Sequence, residues 1–346
     1  MNKRTRRGHD MDEIEDLPTV HEEPPAPIEV TECRVKPILS EAEYKKLKFC
    51  YATPEMGRNE IAPNVVYWDW AEYEHAHQVE VGEKLGWRRE KRQRKQIKFL
   101  LLQNVISNPA WLKAHIAAEE SHMNKGSRAA DGQKYGRKLT LGWLPQLPGY
   151  AAGSEYYNVR TAQTLYQPEL LAAFYPLIRE MDGLVARAVP EYHDYAFKWA
   201  MRATRPDVRD PESGELIDED DLSRVTKERE LNIVKALDPW NLTYTIRGTV
   251  FSTVEFNRNI VFKAHEDGHN VDGTCVCITT LGHYAGGRLV FPRYGYSAEL
   301  KPRDVLLCDN NHELHGNLGP IVGNRFSVVA FLHNSVCGRT PVTESA

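Results

Sequence analysis

Two histidines and one carboxylate, meeting on one face of a metal and leaving the opposite positions open, form the ligand set of a non-haem Fe(II) oxygenase. The sequence offers such a set. His265 and Asp267 stand two apart in Ala264-His265-Glu266-Asp267-Gly268-His269-Asn270. At a strand end that spacing aims an imidazole and a carboxylate at one point. The best third ligand is His315 in Leu314-His315-Gly316-Asn317, which follows a β-like run at 304–308 and a turn-like Asp309-Asn310-Asn311. Ten residues later Arg325 opens an alternating run, 325–331. Its guanidinium can grip a carboxylate through two parallel hydrogen bonds, and Ser327, on the same face, adds a hydroxyl. An isolated HxD is usually a turn feature, and a buried arginine is usually half of an ion pair. The ordered set is what specifies a metal and 2-oxoacid site.

Composition limits what can surround this site. With 346 residues, 41% hydrophobic and 27% charged, the chain can bury a substantial core. A net charge of −4 gives no global nucleic-acid signature, so any polyanion must meet a local basic patch. Six cysteines are scattered and read as reduced thiols. No apolar run reaches the length of a membrane span, and the charged N-terminus lacks the apolar centre of a signal peptide. The chain therefore reads as soluble and intracellular.

The elements that must position the site follow from pattern. Residues 1–37 mix basic, acidic and Pro-rich stretches and read as a disordered tail. Residues 38–240 read as a helical support region with loop insertions. Ser40 and Glu43 make a capping box, 109–118 reads as a helix, and 169–188 has an apolar three-four repeat that Pro168 opens and Pro190 ends. The polar stretch at 121–137 and the acidic one at 205–221 read as loops, and a further helix is expected at 222–237. Arg88, Arg89, Lys91, Arg92, Arg94 and Lys95 form the densest basic cluster. On a helix they would present a cationic face to phosphates; otherwise they are a solvated face. From 241 to 335 short β-branched and aromatic runs alternate with Gly, Pro, Asn and Asp, the pattern of a double-sheet jelly roll; 336–346 is a tail. The expected class is α+β, a cupin-like barrel flanked by helices.

The runs Thr249-Val250-Phe251-Ser252-Thr253-Val254-Glu255-Phe256-Asn257, His265 to Asn270, Gly286-Gly287-Arg288-Leu289-Val290-Phe291-Pro292, Pro302-Arg303-Asp304-Val305-Leu306-Leu307, His315-Gly316-Asn317 and Arg325-Phe326-Ser327 together resemble the TET/JBP family. These are Fe(II)- and 2-oxoglutarate-dependent dioxygenases of 5-methylpyrimidines in nucleic acids. The resemblance covers the last quarter to third of the chain. It implies a double-stranded β-helix, iron on His265, Asp267 and His315, and O2 and 2-oxoglutarate as co-substrates, with Arg325 and Ser327 on the far carboxylate of 2-oxoglutarate. His269 and Asn270 reproduce the HxDxHN pattern of animal members, whose Asn lies in the base pocket. An amide can read a pyrimidine edge, or it can merely shape the turn. The implied partner is DNA with its target base flipped out.

Two departures stand out. The family's arginine for the C1 carboxylate of 2-oxoglutarate has no clear counterpart, with Arg258 and Lys263 merely nearby. The long Cys-rich zinc-binding segment of animal members is missing, as in a compact microbial, fungal or viral type. The expected activity is oxidation of 5-methylcytosine to 5-hydroxymethylcytosine, with formyl and carboxyl products as further steps. Thymine in DNA, methylated RNA, a small molecule or protein side chain, and a non-catalytic module are the competing readings.

Overall fold

A computed structural model describes residues 26–81, 84–121, 137–145, 158–160, 168–200, 245–246 and 248–334. Residues 1–25, the polar stretch of 122–136, residues 146–150, the acidic insertion, the helix expected at 222–237 and the C-terminal tail lie outside them. In chain order the elements are β1 (Thr31–Arg34), α1 (Glu41–Lys46), β2 (Asn59–Glu60), β3 (Val65–Val81), β4 (Lys84–Leu102), α2 (Asn108–Glu120), β5 (Arg137–Pro145), β6 (Asn158–Arg160), α3 (Pro168–Ala188) and α4 (Pro190–Ala200). Then follow β7 (Thr253–Arg258), β8 (Val276–Leu281), β9 (Tyr284–Gly286), β10 (Leu289–Phe291), β11 (Tyr296–Ala298), β12 (Val305–Cys308), β13 (Gly316–Asn317), β14 (Ile321–Gly323) and β15 (Phe326–Phe331).

A nine-stranded sheet in the order β1-β3-β4-β12-β8-β15-β7-β5-β6 organises the molecule, with a four-stranded sheet β13-β10-β11-β2 and a β14-β9 ribbon. Side-chain parity shows what covers each face of the large sheet. Along β12, Val305 and Leu307 pack with the helices, while Leu306 and Cys308 pack with the small sheet. Along β4, Leu100 and Leu102 take the helical side and Phe99 and Leu101 the other. Strands covered on both faces read as continuous apolar runs, which is why β8 and β12 are buried at every position. The helical layer is α2, α3 and α4. Phe174 on α3, for instance, sets its ring 4.1 Å from that of Phe256 on β7.

Several expectations need correction. The N-terminal region is not simply helical. Its longest strands, β3 and β4, form a hairpin that extends the large sheet by pairing Leu102, Leu101, Leu100 and Phe99 with β12. Arg, Lys, Glu and Gln favour helices in isolation, but the continuous apolar run Phe99-Leu100-Leu101-Leu102 at the end of β4 fits a strand covered on both faces, and tertiary pairing prevails. The basic cluster thus lies on a strand and not on the helix for which a cationic face was expected. Within the supposed tail, 31–34 form β1, parallel to β3. Pro190, expected only to stop a helix, also opens α4, where its missing N–H costs nothing. Of the strand expected at 242–246, residues 245 and 246 form a bend, and β11 lies at 296–298 rather than 298–301. The capping box at Ser40 and Glu43 and the helix at 168–188 form as expected. No described helix is long and apolar enough to cross a membrane.

Candidate active site

Parity on β7 and β15 delivers polar groups to one cavity. Val254 and Phe256 on β7, and Phe326, Val328 and Ala330 on β15, face the helices. Their neighbours Glu255, Asn257, Arg325, Ser327, Val329 and Phe331 therefore point the other way and line a cavity of about 350 Å³. His265, Asp267 and His315 complete its wall.

The two histidines come from distant segments joined by a reciprocal backbone pair. The His265 N–H donates to the His315 carbonyl at 3.0 Å, and the His315 N–H to the His265 carbonyl at 2.9 Å. Neither histidine lies in a regular strand; they form an isolated antiparallel bridge. Gly316 permits this approach, since a Cβ there would stand 3.0 Å from the Ala264 nitrogen. Gly268, at φ +66°, turns the chain out of the motif in a conformation that favours glycine.

Each ring is fixed in one tautomer. Nδ1 of His265 lies 2.8 Å from the Lys263 carbonyl and Nδ1 of His315 lies 3.0 Å from the Glu313 carbonyl. A carbonyl only accepts, so Nδ1 carries the proton and Nε2 turns a lone pair inward. Asp267 Oδ1 lies 3.5 Å from His265 Nε2 and 3.9 Å from His315 Nε2. Burial pushes the Asp267 carboxyl up, but its two imidazole neighbours act the other way and prevail, leaving it below its ordinary value. Burial lowers His315 and keeps it neutral. The ligand atoms all lie within 4.8 Å of one another. One N,N,O-coordinated cation can meet all three, and this donor set fits Fe(II).

Arg325 is 4% exposed, and its Nε has no hydrogen-bond partner. Among the described residues it has no carboxylate partner; its guanidinium lies 5.7 Å from the Tyr284 ring centre. A buried cation without an anion is costly, so this wall fits a carboxylate ligand. Ser327 stands one register step beyond it, opposite Asn257 on β7, whose Oδ1 is also unpaired. Arg258 and Lys263 do not line the cavity. The first bonds Asn324 Oδ1 at 3.1 Å, and the second lies over the Tyr51 ring at 4.9 Å.

Asn270 is 3% exposed, lines the cavity, and leaves its Nδ2 without an acceptor. Its backbone bridges to His333, a cavity residue that the sequence reading overlooked. His333 stacks on His269 at 5.6 Å with the rings nearly parallel, and burial followed by repulsion from His269 lowers its pKa to about 4. The signal for it was parity: counted from Arg325, position 333 falls on the cavity face. Behind the triad, Lys98 bridges Asp309 at 3.1 Å and Glu313 at 2.8 Å, fixing the loop that carries His315. Of the basic cluster, Lys95 pairs with Glu32 and Arg94 lies 5.7 Å from the Tyr195 ring centre, and neither lines the cavity. Arg88, Arg89, Lys91 and Arg92 have backbone in β4, but their side chains lie outside the described residues.

Comparison with known proteins adds a family. A model for the Tet_JBP oxygenase domain of the 2OGFeDO superfamily matches residues 160–334. The bifunctional helicase and thymine dioxygenase JBP2 of Leishmania infantum is 39% identical over 217 residues, covering 58% of this chain and 16% of that protein. Thymine dioxygenase JBP1 of Leishmania major is 38% identical over 73 residues, 21% of this chain and 9% of that one. The chain thus spans only a small part of the length of these relatives. Among solved structures, NgTET1 in complex with 5mC DNA aligns at a TM-score of 0.45 and 14% identity, covering 70% of this chain and 75% of that one.

Proposed function

We propose, on the premise that the chain belongs to the Tet/JBP family of oxygenases whose model spans half of it, that it oxidises the 5-methyl group of a pyrimidine in DNA. Family membership brings Fe(II), with 2-oxoglutarate and O2 as co-substrates. In this reading the two sheets close as the double-stranded β-helix of the superfamily. The observation that carries the proposal is one cavity holding the His265-Asp267-His315 triad, the Arg325 cation, which has no carboxylate partner among the described residues, and Asn270, whose Nδ2 has no acceptor.

When bound, the iron supplies the oxidation of a C–H bond by O2 coupled to decarboxylation of 2-oxoglutarate. The balance is R–CH3 + O2 + 2-oxoglutarate giving R–CH2OH + succinate + CO2. His265 and His315 present Nε2 because their Nδ1 protons are committed to carbonyls, and Asp267 adds an ionised oxygen. Arg325 neutralises and orients the far carboxylate of 2-oxoglutarate, with the Ser327 hydroxyl beside it. Asn257, opposite Ser327 on β7, adds an amide to the same wall. Ile278, Leu289 and Phe331 line the cavity with apolar surface and exclude water. Asn270, with His333 and His269 behind it, meets the base edge, and a methyl inside a duplex reaches this cavity only if its nucleotide is flipped out.

The expected base is 5-methylcytosine, giving 5-hydroxymethylcytosine and, on repeated turnover, the formyl and carboxyl derivatives. Thymine is the second reading, supported by relatives that are named thymine dioxygenases. The amide donor of Asn270 suits the O2 that both bases share, so competition must decide between them. The test is the Fe(II)-loaded chain with 2-oxoglutarate and duplex DNA containing both bases, digested and read by nucleoside mass spectrometry. 5-Hydroxymethylcytosine supports the first base and 5-hydroxymethyluracil the second. Succinate with neither product would refute a DNA 5-methylpyrimidine substrate.

A further inference from the structure

Resting on that reading, we infer that the turn Lys48-Phe49-Cys50-Tyr51, outside the family match, is a nucleic-acid stacking platform at the cavity that holds the strand beside the target nucleotide. Phe49 is 60% exposed and Tyr51 55%, so two aromatic rings stand in solvent within three residues. Phe49 also adopts φ +65°, a left-handed conformation that is costly for a residue with a side chain. Neither exposure nor backbone favours phenylalanine here for stability. Glycine would suit the turn better.

The turn is clamped to the metal motif. The Phe49 N–H donates to the Ala264 carbonyl at 2.7 Å, and the Ala264 N–H donates to the Cys50 carbonyl at 2.8 Å, one residue before His265. Lys48 pairs with Glu266, a cavity residue, at 3.1 Å. The rings are thereby held at a fixed place relative to the site of oxidation.

Cations surround the rings. Lys48 lies 5.9 Å from the Phe49 ring centre and Lys263 lies 4.9 Å from that of Tyr51. Lys45 and Lys46 sit in the exposed last turn of α1 just ahead. Glu41, Glu43 and Glu266 offset three of these four charges, and the remainder is positive in a chain whose net charge is −4. Exposed aromatics among lysines match the two surfaces of a nucleic-acid strand, base faces that stack and phosphates that attract cations.

The test is fluorescence anisotropy of the full chain, loaded anaerobically with Fe(II) and 2-oxoglutarate, on fluorescein-labelled 5-methylcytosine DNA at several salt concentrations. Phe49→Gly and Tyr51→Ala should each weaken binding about 5- to 150-fold. Phe49→Gly should keep or raise the melting temperature, which separates a lost platform from a lost fold. Lys46→Gln with Lys263→Gln should flatten the salt dependence by roughly 0.7 to 0.9 log units per phosphate contact removed. Wild-type binding that neither aromatic variant alters would overturn the platform while leaving the oxygenase reading intact. So would Phe49-dependent self-association in sedimentation with DNA affinity unchanged, which would assign the turn to a protein contact. A loaded wild-type chain that binds no DNA would overturn the DNA substrate and the platform together.

Discussion

Asp267, Arg325 and Asn270 meet in one cavity, yet each is held there by a different force. Asp267 stays ionised because two imidazoles outweigh its burial. Arg325 stays charged in a buried wall with no anion of its own among the described residues. Replacing it by alanine should remove a charged hydrogen-bonded pair worth about 1.5–3 kcal/mol. Steady-state kinetics should then show the KM for 2-oxoglutarate rising roughly 10- to 150-fold, with a smaller change in the affinity for DNA. Asn270→Ala should separate two reactions if, as proposed, its amide meets the base and not 2-oxoglutarate. Base oxidation should fall about tenfold or more while succinate release without DNA persists, an expectation from the loss of one buried hydrogen bond. Equal loss of both would make Asn270 a structural residue. At this scale the sequence was informative where spacing encodes chemistry, as in His265 and Asp267, Arg325 and Ser327. It was less so for His333 and Asn257, whose side chains act only because strand parity turns them inward, and whose types carry no motif by themselves.

Elements were legible in proportion to how far their pattern owes nothing to distant partners. The helix at 168–188 shows its buried stripe in sequence, and the capping box at Ser40 is local chemistry. The β3-β4 hairpin was not legible as such, since the charges of β4 suit a helix, and β12, some two hundred residues later, supplies the pairing that selects a strand. Lys98 belongs to this long-range class. Burial alone would push its ammonium down, and Asp309 and Glu313 more than offset it. Because Glu313 also supplies the carbonyl that fixes His315, β4 becomes part of the scaffold of the metal site. Lys98→Met would strand the buried Asp309 carboxylate and leave Glu313 with Arg293 as its cation, at a cost of about 3–5 kcal/mol. Thermal melting should show that loss, and titration with Co(II) as a spectroscopic probe should show weaker metal binding. Unchanged metal affinity in a destabilised variant would confine Lys98 to general stability.

For the molecule as a whole, the family match begins at residue 160, yet β1, β3 and β4 complete the large sheet and Tyr44 on α1 bonds Glu313 behind the triad. The N-terminal half therefore completes the sheet that carries the site, through strands that its charged composition did not disclose. The central claim is that one cavity couples 2-oxoglutarate turnover to oxidation of a 5-methylpyrimidine in DNA. The most direct measurement is stoichiometric: succinate and modified pyrimidine counted from the same reaction, with Asp267→Ala as control. The account predicts one succinate for each oxidation step in wild type at saturating DNA, and neither product in the variant, which has lost a metal ligand. Succinate formed without a modified base in wild type would contradict the substrate, and full activity in Asp267→Ala would contradict the metal site itself.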